Sequence, residues 1–226
     1  MFSIVIPLYN EEENIIPLIN EIFLALKEYD SYEIILVDDF SNDQTLKLIS
    51  NKNNKLLKIL QNKKRKGQSY SIYKGVKTSQ FDTIITLDGD GQNNPKDIPK
   101  LLNIFNQNHK IELVGGLRVK RKDNLIKVIS SKIANKIRLI ILKDKCKDTG
   151  CSLKVFNKNV FLSFQYFDGM HRFLPALFNG FGYETFFIDV EHRPRLHGKS
   201  KYGTLLRLIA GIKDIIKVKK MIKSNK

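Results

Sequence analysis

The sequence predicts an α/β protein with a central, mostly parallel sheet flanked by helices. Three observations carry that expectation. Short runs rich in Ile, Leu and Val alternate with segments of helical period over residues 1–107, the pattern of parallel strands joined by crossover helices. Three of the apolar runs end in polar clusters, "PLYNEEEN", "VDDFSND" and "LDGDGQNNP"; in an open parallel sheet such strand ends share one edge, where ligands bind. Finally, 226 residues that are 42% hydrophobic suffice for a real core and fit one domain, or a domain with a small appendage.

The elements follow in order. Residues 2–8 form a buried strand. Ile15, Ile19, Ile22 and Leu26 are spaced four, three and four apart, a helical stripe, and Pro17 falls in its tolerant first turn. Residues 33–39, "EIILVDD", form a second strand. Ser41 with Gln44 reads as a capping box opening a helix to about residue 49. Residues 56–60 form a third strand, 67–77 a helix, and 82–87 a fourth strand. Asn94 before Pro95 caps and starts another helix. The second half is less regular: "ELVGGLRVKRKD", a helix over 124–142, "DTGCSLKVF", "GMHRFLPAL", a strand over 183–190, and "EHRPRLHGKSKYG". Residues 1–204 form the main domain and 205–226 a basic amphipathic terminal helix.

Composition excludes several classes. No charged segment precedes the first apolar run, so a leader peptide is not expected. No run reaches the roughly 18 apolar residues of a membrane-spanning helix. Two cysteines, Cys146 and Cys151, do not make a disulfide framework and point to a reducing, cytoplasmic setting. The net charge of +16 favours an anionic partner, although a general richness in Lys supplies part of it. Residues 124–142 carry four basic residues and no acid. Residues 213–226 carry six lysines against one Asp, beside a stripe of Leu205, Ile209, Ile212 and Ile216. Basic amphipathic helices suit an anionic membrane surface better than nucleic acid, which calls for exposed aromatics in a basic groove. Packing of the terminal helix on its own core, or on a partner, accounts for the stripe equally well.

At the strand ends, Asp88 and Asp90 stand two apart, which puts them on one side of an extended chain. Two hard oxygen donors suit Mg²⁺ or Mn²⁺, with Gln92 as a third ligand. A solvated turn would give the same pattern. Gly89 and Gly91 leave room for a bulky ligand. No Rossmann glycine motif and no P-loop is present. Asp38 and Asp39 either accept from a nucleoside or complement the dipole of the helix ahead.

Taken together, "VIPLYNEEENI", "ILVDDFSNDQT", "KKRKGQSYSIYKG", "TLDGDGQNNP" and "RPRLHGKSKYG" resemble, in order and spacing, the family 2 glycosyltransferases of the GT-A fold. The most similar branch is the polyprenyl-phosphate, dolichol-phosphate mannose synthase-like sugar transferases, and the match covers nearly the whole chain. The resemblance implies a metal-dependent hexosyltransferase. Pro7, Tyr9, Asn10 and Glu11 would surround the base and ribose of a nucleotide sugar, and Asp39 would read the base. Lys66 and Gly67 would close on the nucleotide. Asp88, Asp90 and Gln92 would hold Mg²⁺ or Mn²⁺, and Arg195 would approach the donor diphosphate. Arg118, Arg121 and Ser131 would bind the acceptor phosphate, with Lys132 or Arg138 sharing the task. A lipid phosphate is already anionic, so an inverting displacement needs no general base; His171 and Asp148 are the candidates if one exists. Gly198 and Ser200, among Arg193, Arg195, Lys199 and Lys201, suggest a loop closing over phosphates.

The expected partners are a nucleotide sugar, GDP- or UDP-linked, polyprenyl phosphate, and an anionic membrane surface, with no nucleic acid. A membrane-anchored partner or a homo-oligomer is compatible with the chain. The expected location is cytoplasmic, peripheral to the inner face of the membrane. A different lipid or glycan acceptor is the alternative within the family. A basic nucleic-acid-binding module or an inactive scaffold fits the intact motifs poorly.

Overall fold

The computed structural model describes residues 1–119, 138–195 and 204–225. Strand β1 (Phe2–Leu8) lies between β2 (Tyr32–Asp38) and β4 (Thr83–Thr86), with β3 (Leu57–Gln61) outside β2, and these four strands are parallel. Next to β4 comes β6 (Lys154–Asn157), antiparallel both to β4 and to β5 (Ile111–Val119). An edge strand, β7 (Glu184–Glu191), runs parallel to β5. The order is β3-β2-β1-β4-β6-β5-β7. Since β6 opposes both its neighbours, the other six strands point the same way and end at one edge. The sheet is therefore mostly parallel, as the alternation predicts.

Both faces are covered, which explains the nearly unbroken apolar runs. Ile4, Ile6, Leu8, Ile34 and Leu36 pack on α1 (Ile15–Ala25) and α4 (Ile98–Gln107). Val5, Ile35, Val37 and Ile84 face the opposite way. There they meet α3 (Gln68–Thr78), α5 (Lys158–Ser163), α6 (Leu174–Gly180) and the C-terminal half of α7 (Thr204–Ser224). A short helix, α2 (Thr45–Ser50), lies beside α1, and Asn94 caps a 3₁₀ turn, Pro95–Asp97, that leads into α4. Cys146 and Cys151 are free and buried, and burial pushes the Cys146 thiol up to about 11.

Two local expectations are corrected. The Ser41/Gln44 capping box does not form: α2 starts at Thr45, whose N–H is taken by Asp43 Oδ1 at 2.9 Å. Ser41 Oγ instead accepts the Asn10 N–H at 2.9 Å, tying the loop after β1 to the loop after β2. On α7, the expected stripe is corrected at Ile216, while the side chains of Leu205, Ile209 and Ile212 lie outside the described residues. Ile216 is 53% exposed, whereas Ile215 and Val218 are buried and Met221 and Ile222 lean on the same core. Arg172 holds Asp214 of this helix at 2.8 Å.

Helix α3 packs on β1 through Gly75. A Cβ there would lie 2.4 Å from Val5 Cγ1 and 3.2 Å from Val37 Cγ2. Overpacking of this kind costs about 1–3 kcal/mol. Gly75→Ala should lose that much in urea denaturation, and adding Val5→Ala should recover part of it. Losses that simply add would place the clash elsewhere.

Candidate active site

The catalytic edge is assembled from loops that leave the parallel strands. Each of the first four is followed by a residue in the left-handed region: Asn10 (φ 53°), Phe40 (φ 65°), Gly67 (φ 88°) and Gly91 (φ 72°). These turns fold the polar clusters back over the sheet. Side-chain bonds lock neighbouring loops together. Asn10 Nδ2 donates to Asn42 Oδ1 at 2.6 Å, and Glu11 N–H to Thr45 Oγ1 at 2.8 Å. The Glu11 carboxylate accepts from Asn14 at 2.8 Å. The Arg65 guanidinium sits 4.0 Å from the Tyr9 ring centroid. Pro7 lies within β1, in register with Val37.

Asp38 and Asp39 divide their work. Asp38 Oδ2 accepts the Ser41 N–H at 3.2 Å, a local turn. Asp39 holds the loop that precedes α3. Its Oδ1 accepts from Asn62 Nδ2 and the Lys66 N–H, and its Oδ2 from the Gly67 N–H, each at 2.8 Å. Lys66 reaches out over the Tyr70 ring at 5.5 Å. The residue expected to read a base is thus also the anchor of the loop expected to close on it.

Strand β4 stops at Thr86, so the pleat does not align Asp88 and Asp90; a turn at residues 89–90 sets their relation. Asp88 Oδ1 accepts from Gln68 Nε2 at 2.7 Å. Burial, then the charge of Asp90, push the Asp88 carboxyl up to about 6, against the pull of Ser152, Lys154 and Arg118. Asp90 Oδ1 accepts the Gln92 N–H at 3.1 Å, and Asp90 Oδ2 is ion-paired with Arg195 Nη2. Burial works against the Arg195 charge, but Asp90, Glu11 and Asp88 outweigh it and hold the guanidinium above its ordinary value. The side-chain amide of Gln92 donates to Arg193 O at 3.3 Å. The expectation that Gly89 makes room for a ligand is corrected. A Cβ at Gly89 would meet Leu8 Cδ2 at 2.4 Å, so this glycine serves packing against β1.

The segment carrying Arg195 is fastened to the Asp-x-Asp loop. Asn93 and His192 form a β-bridge, Arg193 N–H donates to Gln92 O at 2.9 Å, and Arg193 pairs with Glu21 at 2.6 Å. Across the sheet, Arg118 at the end of β5 makes a bidentate pair with Asp148: Nε to Oδ2 is 2.7 Å and Nη2 to Oδ1 is 2.8 Å. Asp148, one of the two general-base candidates, therefore has its carboxylate committed to a cation. The other, His171, is joined through Nδ1 to Ser69 Oγ at 2.6 Å. Arg138 is buried against Asp144 and Cys146 O, which removes it from the acceptor-site alternatives. Arg121, Ser131, Lys132, Gly198, Lys199, Ser200 and Lys201 lie outside the described residues.

Several site residues escaped the sequence reading. Gln68 is one. Ser152 is another; its hydroxyl donates to Asn93 Oδ1 at 2.6 Å. Lys154 is a third: it is buried at the start of β6, opposite Thr86, and donates to Cys151 O. The signal for Lys154 was present, a lone charge in the apolar run "SLKVF".

The donor set fits a divalent cation. Asp90 is buried and Asp88 half-buried, the two carboxylates are close enough to repel, and the Arg195 guanidinium paired with Asp90 is their counter-charge. Among the described residues, no group of three or more His, Cys, Asp or Glu could hold a metal alone. A two-carboxylate site that leaves positions for phosphate oxygens is the kind Mg²⁺ accepts.

A doubly covered, mostly parallel sheet with an Asp-x-Asp at a strand end and an arginine laid over it defines a GT-A nucleotide-sugar transferase fold. Comparisons agree. Residues 3–163 match the family described as glycosyl transferase family 2. The chain is 34% identical over 221 residues to the undecaprenyl-phosphate 4-deoxy-4-formamido-L-arabinose transferase of Aeromonas hydrophila, covering 96% of this chain and 67% of that one. It is 34% identical over 223 residues to the dodecaprenyl-phosphate galacturonate synthase of Rhizobium johnstonii, covering 96% and 65%. The chain thus spans about two thirds of the length of these curated relatives. Among solved structures, glucosyl-3-phosphoglycerate synthase from Mycobacterium tuberculosis, in complex with Mn²⁺, UDP and phosphoglyceric acid, superposes with a TM-score of 0.74 at 16% identity. That match covers 96% of this chain and 76% of the other. The chain belongs to glycosyl transferase family 2, in its polyprenyl-phosphate branch.

Proposed function

We propose that this chain transfers a sugar from a nucleoside-diphosphate sugar to polyprenyl phosphate, inverting the anomeric centre in one displacement. The observation that carries the reading is the meeting of Asp88, Asp90, Arg195 and Arg118 at one sheet edge. The donor side is the loop cluster of Pro7, Tyr9, Asn10, Glu11, Asp39, Lys66 and Gly67. Tyr9 offers a ring to a base, and Asp39 keeps one lone pair beyond its three internal donors. A divalent cation, Mg²⁺ or Mn²⁺, held by Asp88 and Asp90 with Gln92, would stabilise the charge that develops on the leaving diphosphate. Arg195 meets the same charge as it grows. The acceptor phosphate brings its own negative charge, its second pKa near ~6, so no side chain has to remove a proton. This accords with His171 and Asp148 both being engaged by other side chains.

On the acceptor side, Arg118 is a cation at the end of β5, braced by Asp148 through Nε and Nη2, and it is proposed to attract the acceptor phosphate. Arg121 and Ser131 are proposed to complete that site. No helix of the described residues is long and apolar enough to cross a membrane. Contact with an anionic membrane surface at the cytoplasmic face would then come through basic helices, including the exposed Lys213, Lys217 and Lys220 of α7.

The test is direct. The protein is incubated with GDP- and UDP-sugars, polyprenyl phosphate and Mn²⁺, and the lipid product is identified by mass spectrometry. A sugar phosphoryl-lipid supports the reading. Transfer only to a non-phosphorylated lipid or a glycan, or no transfer from any nucleotide sugar, refutes it.

A further inference from the structure

The two carboxylates of the Asp-x-Asp are held by donors of opposite kind. Asp88 receives a neutral amide, Gln68 Nε2 at 2.7 Å, from the first turn of α3. Asp90 receives a cation, the guanidinium of Arg195. The two donors rest on different foundations. Gln68 is the first residue of an 11-residue helix, and the residues around it are all fixed. Lys66 and Gly67 donate their N–H groups to Asp39. Ser69 is bound to His171 and accepts the Gly169 N–H at 3.0 Å. Arg195 lies three residues beyond the β-bridge at His192, on the strand-end segment rather than on a helix.

From this asymmetry we propose that Gln68 is a positioning residue for the cation site, and that Arg195 is the cation's competitor there. Gln68 adds no charge. It occupies Asp88 Oδ1 and, with the Ser152 hydroxyl that also bonds this carboxylate, restricts how the carboxylate can turn. Its hydrogen bond is compatible with a bound cation and persists when one arrives. The Arg195 contact is not: a guanidinium and a divalent cation both seek Asp90 Oδ2, and like charges cannot share it closely. Loading of the site therefore releases Arg195, which becomes available to the donor diphosphate only once the cation is in place. A nucleotide sugar then meets a free arginine only in a loaded site. This deepens the metal-dependent reading and rests on it.

The inference predicts changes of opposite sign. Mn²⁺ binding to the full chain, without nucleotide, is measured by the loss of the free-ion EPR signal. Gln68→Met keeps the length of the side chain and removes its donor. It should weaken Mn²⁺ binding about 10–100-fold, the usual effect of losing a partner of a metal ligand. Saturating Mn²⁺ should then restore most of kcat. Arg195→Gln should tighten Mn²⁺ binding roughly tenfold, as loss of a charged competitor requires, while transfer falls. Gln68→Ala gives the same reading if the Met variant does not fold. Unchanged affinity in the Gln68 variants overturns the positioning role, as does weakened binding whose kcat excess Mn²⁺ leaves low. Unchanged or weaker affinity in Arg195→Gln overturns the competition. Absence of Mn²⁺ binding by the unaltered protein refutes both this inference and the metal reading. Binding by the unaltered protein with indifferent variants refutes the inference alone.

Discussion

Asp90→Ala is expected to lower kcat for sugar transfer by about 10²-fold or more, the scale seen when one group stabilising transition-state charge is removed. Asp90 has two tasks at once. Its carboxylate is a ligand for the proposed cation, and it is the present partner of Arg195, the second positive group near the leaving diphosphate. Removing it takes a ligand from the cation and the partner that keeps Arg195 at the site before loading, and extra metal cannot replace a missing ligand. The fall should therefore appear in kcat and persist at saturating Mn²⁺, unlike the expected behaviour of Gln68→Met. Steady-state kinetics across a metal titration distinguishes the two. Full activity of Asp90→Ala in EDTA would end the metal-dependent account.

Asp148→Ala is expected to destabilise the fold by about 3–5 kcal/mol, because it leaves Arg118 mostly buried without its carboxylate. The side chains of the pair are only 14% and 12% exposed, so water cannot make good the loss. Urea denaturation would measure it. The double variant Arg118→Leu/Asp148→Leu should regain most of that stability, since a buried ion pair and a packed apolar pair are often close in energy. It should not regain function, because the acceptor phosphate would lose its arginine. The milder Arg118→Lys keeps the charge but not the fork. It should raise the KM for polyprenyl phosphate and leave calorimetric binding of nucleotide sugar nearly unchanged. Loss of donor binding with an unaltered acceptor KM would reverse the assignment of the two phosphate sites.

The fold was legible because the central strands β1, β2 and β4 are mostly buried on both faces and written as apolar runs. The polar stops at Asn10, Asp39 and Asp88 mark the edge in the sequence itself. What stayed hidden was pairing across loops. Nothing in the sequence says that Gln68 reaches Asp88, twenty residues away, or that Asp148 holds Arg118, thirty away. The i and i+2 rule put Asp88 and Asp90 together for the wrong reason, because β4 ends before them and a turn does the aligning. Ser41 misled in the same way: its spacing to Gln44 fits a local cap, but its hydroxyl is taken by a neighbouring strand's loop. On α7 the periodicity was real, yet a helix with apolar residues at 215, 216 and 218 offers more than one stripe, and only the partner surface selects between them.

The common direction of six strands has a consequence for how such a protein can change. Most of the chemical groups discussed above sit on or beside connections leaving the same rim, while the sheet and its two packed layers are built mainly from other residues. Replacements at the rim are thus largely uncoupled from the scaffold, except where a mostly buried ion pair such as Arg118–Asp148 braces it or a glycine such as Gly89 or Gly75 interlocks the layers. Fold retained at 16% identity, as with the mycobacterial synthase, is what such separability permits. New donor or acceptor preferences can be written into the connections one at a time, as a keyboard is relabelled without rebuilding its frame.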